Sequence, residues 1–377
     1  MHTVDAASLP IGDGHPPRIM GVLNVSPESP YAPSVFEAAD TAAAYVDETL
    51  LAAGADIVDV GLASANRRFD PQSAAAELDR LELAVETIAS VSSDAVFSIE
   101  TRYAEVADVA LASGFDMVND VCGFADPAMA AVCRDHDAAV VKMASPPDLT
   151  RPGALTTVDA VYDALERGGL TAKTIVDPAF GRWADEKPLS VDRDTFRRLP
   201  EFRALGQPIL VSINRKNFLR KPLGRSTDAA LPASLAATAL AVDRGVHVIR
   251  THDVAETRDA ALIGATYADD LLVDRDLGVE ELLIDTEATA ARYLEVADGD
   301  PTVAGTAVTR AFTLTLDESD RSILVERAAD IPGVTIVGGD PLQVYLTRVG
   351  HRDLRDAISG ESRRLDAQIE RIADGFE

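Results

Sequence analysis

Cysteine, tryptophan and lysine are all scarce in this sequence. Two cysteines, Cys122 and Cys133, stand among 377 residues, too few for a disulfide framework and not in a CxxC pair. A reduced, cytoplasmic setting is the expectation. No run approaches the roughly 18 apolar residues of a membrane span. The opening MHTVDAASLPIGDGHPP has neither the basic nor the apolar segment of a signal peptide. No membrane partner is therefore expected. Long blocks of like charge are missing as well, and 47% of the residues are hydrophobic, which argues against disorder.

What is abundant is negative charge. The net charge of −27 argues against a nucleic-acid partner, because that needs clustered Lys and Arg. Of 35 basic residues only Lys142, Lys173, Lys187, Lys216 and Lys221 are lysines. An acidic, lysine-poor, Ala- and Val-rich chain suits high intracellular salt. There, solvated carboxylates resist association and screening relieves self-repulsion. The sequence reads as that of a halophilic protein, and each retained lysine invites a reason.

Short aliphatic runs recur at Ile19–Leu23, Asp56–Val60, Val96–Ile99, Met117–Val118, Ala138–Val141, Thr174–Val176, Ile209–Ser212 and Val246–Ile249. Ala-rich segments with helical spacing lie between them, several closing on a glycine such as Gly54, Gly114 or Gly245. Eight alternating units over about 250 residues predict a (β/α)8 TIM barrel, with an open doubly wound sheet as the alternative. The barrel is assigned to residues 1–268, and 269–377 to a small C-terminal α/β extension of unassigned role. In that extension, residues 270–300 read as acidic helices and GDPT at 299–302 as a linker. AVTRAFTLTL and GVTIVGG read as strands, and the stretch from Pro341 onward as helix. VGHRDLRD reads as a solvated helix face and Gly338-Gly339-Asp340 as a turn.

In such a barrel the loops after the strand C-termini build the active site. Asn24 follows the first strand, and Ser64, Asn66 and Arg67 lie beyond the second. Glu100 and Thr101 follow the third, Asn119 and Asp120 the fourth, Lys142 and Met143 the fifth, and Asp177 the sixth. Asn214, Arg215 and Lys216 follow the seventh, Arg250 and His252 the eighth. Asp and Asn are common at strand ends for their turn chemistry, so one alone means little. Polar groups at every strand end, cations included, predict a site. Arg250 and His252, with Arg67, can hold an anion. Asn24 offers a neutral oxygen to a hydrated Mg2+ that also touches a diphosphate. Glu100, Asn119 and Asp177 supply acceptors and an amide for a heterocycle bearing N–H donors, and Lys216 can donate to a ring carbonyl.

Six ordered blocks carry a family resemblance: IMGVLNVSPES, GADIVDVG, FSIETRYAEVADVALASGFDMVNDVCG, TIVDPAFG, ILVSINRKNF and GVHVIRTHDVAET. Together they resemble the dihydropteroate synthase family across residues 18–265. The resemblance implies a barrel that joins 6-hydroxymethyl-7,8-dihydropterin diphosphate to 4-aminobenzoate and releases diphosphate. It implies that Glu100, Asn119, Asp177 and Lys216 hold the pterin, with Arg250 against its face and Met143 lining the pocket. Asn24 through Mg2+, Arg250 and His252 would hold the diphosphate. Ser64 and Arg67 would belong to a loop that shapes the aminobenzoate site. The implied mechanism is early departure of diphosphate, then attack by the amine, with the protein supplying position and charge stabilisation. The loop behind Asn24, rich in proline at Pro27, Pro30 and Pro33, would be a flap that excludes water on closing. A homodimer through outer helices is implied too, with LPASLAATALAVDRG as an apolar face.

The chain departs from the family pattern at Glu28-Ser29-Pro30-Tyr31, at Ser64-Ala65-Asn66-Arg67, at Ala144-Ser145 and at Glu100, where the family has Asp. The first two departures fall on the aminobenzoate side. A non-catalytic or divergent pterin-binding protein is therefore the alternative reading. A pterin-dependent methyltransferase fits less well, because the extension is short and lacks an Asp-x-His-x-x-Gly motif.

Overall fold

The computed structural model describes residues 2–373 apart from 30, 65–68, 70, 182, 185–186, 269–270, 272, 275–278 and 339–341. Its contacts divide it into two units, 1–281 and 282–377. Residues 269–281, assigned above to the extension, thus fall in the first unit.

The first unit is built on eight parallel strands. These are β1 (Arg18–Asn24), β2 (Ile57–Gly61), β3 (Val96–Thr101), β4 (Met117–Asp120), β5 (Ala139–Met143), β6 (Thr174–Asp177), β7 (Leu210–Val211) and β8 (Val248–Thr251). Their order is β6-β5-β4-β3-β2-β1-β8-β7, and a parallel bridge between Val176 and Ile209 joins the two ends. The sheet is the expected (β/α)8 barrel. Its strands read as unbroken aliphatic runs because both faces are covered. Val58, Val60, Ile99, Val118, Val140, Val176 and Ile249 pack in the cluster that also holds buried helix residues such as Leu81 and Val161.

The opposite parity faces inward. Met20, Ile57, Val96, Met117, Ala139, Ile175, Leu210 and Val248 fill the base of the barrel. Val4, Ala6 and Ile11 join them from an N-terminal hairpin, Val4–Ala6 paired with Leu9–Ile11. This plug was not foreseen, since three-residue strands are too short to show a period. Just beyond it Asp13 pairs with Arg203 at 2.9 Å and meets His247 at 3.1 Å.

Lys142 corrects an expectation. It lies on the outward parity of β5, fully buried, and does not reach the rim. Its ammonium donates to the carbonyls of Leu165, Arg167 and Gly169 at 2.7, 2.5 and 2.9 Å, at the end of helix Val158–Glu166. Those carbonyls have no partner within the helix, so a strand side chain caps it.

The second unit holds an antiparallel sheet of β9 (Thr309–Leu314), β10 (Val334–Val337) and β11 (Leu342–Thr347), in the order β9-β11-β10. Leu342, Val344 and Leu346 bury one face against Leu324, Leu354, Ile358, Leu365 and Ile369 of three helices. Residues 342–347 were expected to be helical and are the central strand. LQVYLT alternates apolar and polar positions, which is a strand period. In place of acidic helices, Val273–Asp274 pairs with Val279–Glu280, and among the described residues of this stretch Glu287–Val296 is the one α-helix. The expected linker at 299–302 is no linker: Asp300 accepts the Thr302 N–H and starts a 3-10 segment, Pro301–Thr306. His351 is buried, its Nε2 2.7 Å from the Ile369 carbonyl, so VGHRDLRD packs inward there. Gly339, Asp340 and Pro341 lie outside the described residues. No helix among the described residues is long and apolar enough to cross a membrane.

Replacing Lys142 with Met keeps the bulk and strands three carbonyls. Denaturant unfolding of Lys142→Met should show a loss of about 3 kcal/mol or more. An unchanged midpoint would mean that water satisfies those carbonyls.

Candidate active site

Above the apolar base the inward positions turn polar. Asp59 sits mid-strand on β2, fully buried, with Ile57 two residues below it. Arg250 of β8 reaches across the lumen: its Nε donates to Asp59 Oδ2 at 2.7 Å and its Nη2 to Glu100 Oε2 at 2.6 Å. Asn119 donates to the same Asp59 oxygen at 2.9 Å. The Asp59 carboxylate thereby cross-links three strands, β2, β4 and β8, and Arg250 adds β3 through Glu100. Burial works against the Arg250 charge, but Asp59 and Glu100 more than offset it and raise its pKa. Burial pushes Glu100 upward, with Arg250 opposing and Asp59 adding to the rise. Asp59 Oδ1 and Ser98 Oγ, register neighbours on β2 and β3, are buried without a hydrogen-bond partner among the described residues.

Asp177 closes β6. Its Oδ1 accepts the Ala179 N–H at 2.7 Å, and burial pushes its pKa up to about 6 against the pull of that bond, Lys216 and Arg250. The loop that follows is pinned by a buried pair, Lys187 to Asp192 at 3.0 Å, with Lys187 also donating to the Ala179 carbonyl. Lys216 lies 5.6 Å from the centroid of the only tryptophan, Trp183. Burial, then the charge of Arg250, lowers its pKa.

Asn24 ends β1 opposite Gly61 of β2. Its side-chain oxygen lies where a Cβ on Gly61 would come within 2.7 Å, so only glycine leaves room for it. Its Nδ2 donates to Ser34 Oγ at 2.9 Å, which fixes the amide. Tyr31, in the same loop, packs on His252 with ring centroids 4.2 Å apart. Burial, then Arg250 and Lys216, pushes His252 down to about 3, so the imidazole is neutral at ordinary pH. Its Nδ1 is buried with no hydrogen-bond partner among the described residues.

The structure thus gathers Asn24, Glu100, Asn119, Asp177, Lys216, Arg250 and His252 at one mouth. Met143 is buried with the inward parity of Ala139 and Val141. Ser64 contributes its backbone N–H, 3.4 Å from Glu28 Oε1. Arg67, Asn66 and Pro30 lie outside the described residues. Asn214 and Arg215 pair with Asp253, just after β8, at 2.8 Å from Asn214 and 2.7 Å from Arg215 Nε. The residue the sequence reading missed is Asp59. The available signal was an acid inside the aliphatic run Ile57-Val58-Asp59-Val60, where an unpaired carboxylate could not be buried.

Fold and site together define a (β/α)8 barrel with its polar cluster at the strand C-termini, as enzymes of this architecture have. The sequence model of the pterin binding enzymes matches residues 20–252, and the chain belongs to that family. It is 36% identical over 258 residues to a probable bifunctional folylpolyglutamate synthase/dihydropteroate synthase of Halobacterium salinarum, covering 65% of this chain and 31% of that one. The chain thus spans about a third of the length of that relative. An inactive dihydropteroate synthase 2 of Mycobacterium leprae is 34% identical, over 64% of this chain and 87% of its own. Among solved structures, a Coxiella burnetii dihydropteroate synthase in complex with pteroic acid superposes with a TM-score of 0.60 at 28% identity. It covers 71% of this chain and 99% of that one.

Arg250→Met should lower the unfolding free energy by about 3–5 kcal/mol, because two buried carboxylates lose their shared cation. The loss should shrink on acidification, since protonating Glu100 removes the charge left unpaired. Urea unfolding at neutral and acidic pH reads both. An equal loss at both would show that the missing charge is not its cause.

Proposed function

We propose that the barrel mouth is a dihydropteroate synthase site, taking 6-hydroxymethyl-7,8-dihydropterin diphosphate and an aromatic amine of the 4-aminobenzoate type. One observation carries this reading. Asn24 at the end of β1 and His252 just after the adjacent β8 stand at one mouth with the acceptors and donors Glu100, Asn119, Asp177 and Lys216, and Arg250 crosses that mouth. Asp177, Glu100 and Asn119 would meet the ring N–H groups, and Lys216 the ring oxygen. Arg250 and His252 would meet the diphosphate, the neutral imidazole acting as a hydrogen-bond donor. The C–O bond to the diphosphate breaks with its electron pair leaving on the phosphate. The amine nitrogen then bonds to the methylene carbon and gives up a proton to solvent. The chain's part is to orient both partners and stabilise the departing charge.

Mg2+ suits this donor set in a limited way. Asn24 offers one amide oxygen, and no group of three or more His, Cys, Asp or Glu poised for a metal occurs among the described residues. A Mg2+ ion would therefore rest mainly on phosphate oxygens and water, as this cation commonly does. When bound it would neutralise charge on the leaving group.

A pterin-binding protein without transfer activity is the second reading. It is favoured by the relative named inactive at comparable identity and by Tyr31, which stands in a divergent loop and covers His252. A homodimer is supported by Leu240, Ile263 and Tyr267, 49%, 55% and 79% exposed on helices Leu231–Asp243 and Val254–Tyr267. The net charge of −27 supports a cytoplasmic, high-salt setting.

The deciding assay measures diphosphate release in high salt with Mg2+ and the pterin diphosphate, with and without 4-aminobenzoate. Release that needs the amine and yields dihydropteroate is the expected result. Pterin binding without release, whatever aryl amine is offered, favours the second reading.

A further inference from the structure

Helix Ala74–Ser90 carries two charges that the site described above does not use. Its buried positions are Glu77, Leu81, Ala84 and Thr87, so a glutamate stands on the stripe where an apolar residue belongs. Glu77 Oε2 accepts the hydroxyl of Thr101, the last residue of β3, at 2.5 Å. One turn on, Arg80 Nη1 donates both to the Leu62 carbonyl and to Glu28 Oε1, each at 2.7 Å. Glu28 belongs to the loop after β1, and its Oε1 also accepts the Ser64 N–H at 3.4 Å. Arg80 and Glu28 are partly buried, with side chains 27% and 18% exposed, so the pair is less screened than a surface pair.

The register shows what these contacts hold. Gly61 is the partner of Asn24 on one side and of Glu100 on the other. The loop leaving β2 therefore starts, at residues 62–64, between the leaving-group side of the mouth and the heterocycle side. Arg80 grips that loop at Leu62, and Glu28 grips it at Ser64. On the proposed synthase reading, on which this inference rests, the reacting carbon sits between those two sides. The amine must approach it past this loop.

We propose that Glu28 and Arg80, backed by Glu77, are positioning residues for the acceptor amine, tying the start of the loops after β1 and β2, and the end of β3, into one wall beside the reacting carbon. Among the described residues their hydrogen bonds go to Thr101, Leu62, Ser64 and between Glu28 and Arg80, and none goes to Glu100, Asn119, Asp177 or Lys216. Loss of the tie shifts the amine and leaves the pterin in place.

The test is calorimetric titration of 4-aminobenzoate into the whole protein saturated with 6-hydroxymethylpterin and diphosphate, for wild type, Glu28→Gln, Arg80→Gln and Glu28→Asp. Glu28→Gln and Arg80→Gln should weaken the amine about tenfold or more while pterin affinity stays within about twofold. Glu28→Asp keeps the charge and should recover part of the loss. A purely structural role would move both ligands together or neither. Unchanged amine affinity, a parallel fall in pterin affinity, or failure of the wild type to bind the amine overturns the inference. Amine binding that depends on Glu28 and Arg80 without diphosphate release would sink the synthase reading and leave this one standing.

Discussion

Arg250 bridging Asp59 and Glu100 is the interaction on which the rest of the site depends. It sits where the lumen changes from the apolar base of Met20, Ile57 and Val96 to a polar mouth. Without the guanidinium, the buried Asp59 and the mostly buried Glu100 would face one another with no cation between them. With it, Asp59 and Glu100 are held in place by one cation, and Asn119 shares the Asp59 oxygen that Arg250 binds. A buried pair of this kind is weak support for stability, since an apolar replacement packs as well. The network makes sense as a site held ready, with the fold meeting the cost of burying its charges.

The architecture was legible because eight aliphatic runs sit between helical segments, and a barrel strand buried on both faces reads as such a run. Rim residues were legible because strand ends can be counted. What escaped the reading was parity and pairing. Lys142 and Met143 are adjacent in sequence, yet one caps an outer helix and the other shares the inward parity. Asp59 was hidden inside its own aliphatic run, and its partner Arg250 lies far along the chain. The ties of Glu28 and Arg80 cross three segments that no local pattern connects. In the second unit, LQVYLT was passed over because the helices around it dominate the pattern.

The few lysines have individual explanations. Lys142 and Lys187 are buried and serve backbone carbonyls, and Lys187 also pairs with Asp192. Lys173 pairs with Asp137 at 2.8 Å, and Lys216 stands in the mouth beside Trp183. A compact ammonium can satisfy three converging carbonyls where a planar guanidinium could not turn to meet them. Lys221 is the exposed one and has no such account. In a chain whose other cations are arginines, lysine persists mostly where geometry asks for a point charge.

The central claim is that a pterin ring docks on a wall already organised by Arg250. A crystal structure of the protein with pteroic acid addresses it most directly. The account predicts ring N–H groups on Asp177 and Asn119, Lys216 on the ring oxygen, and Arg250 still bonded to Asp59 and Glu100. A ring seated outside the barrel mouth, or Arg250 swung away from Asp59 to receive it, would contradict the account.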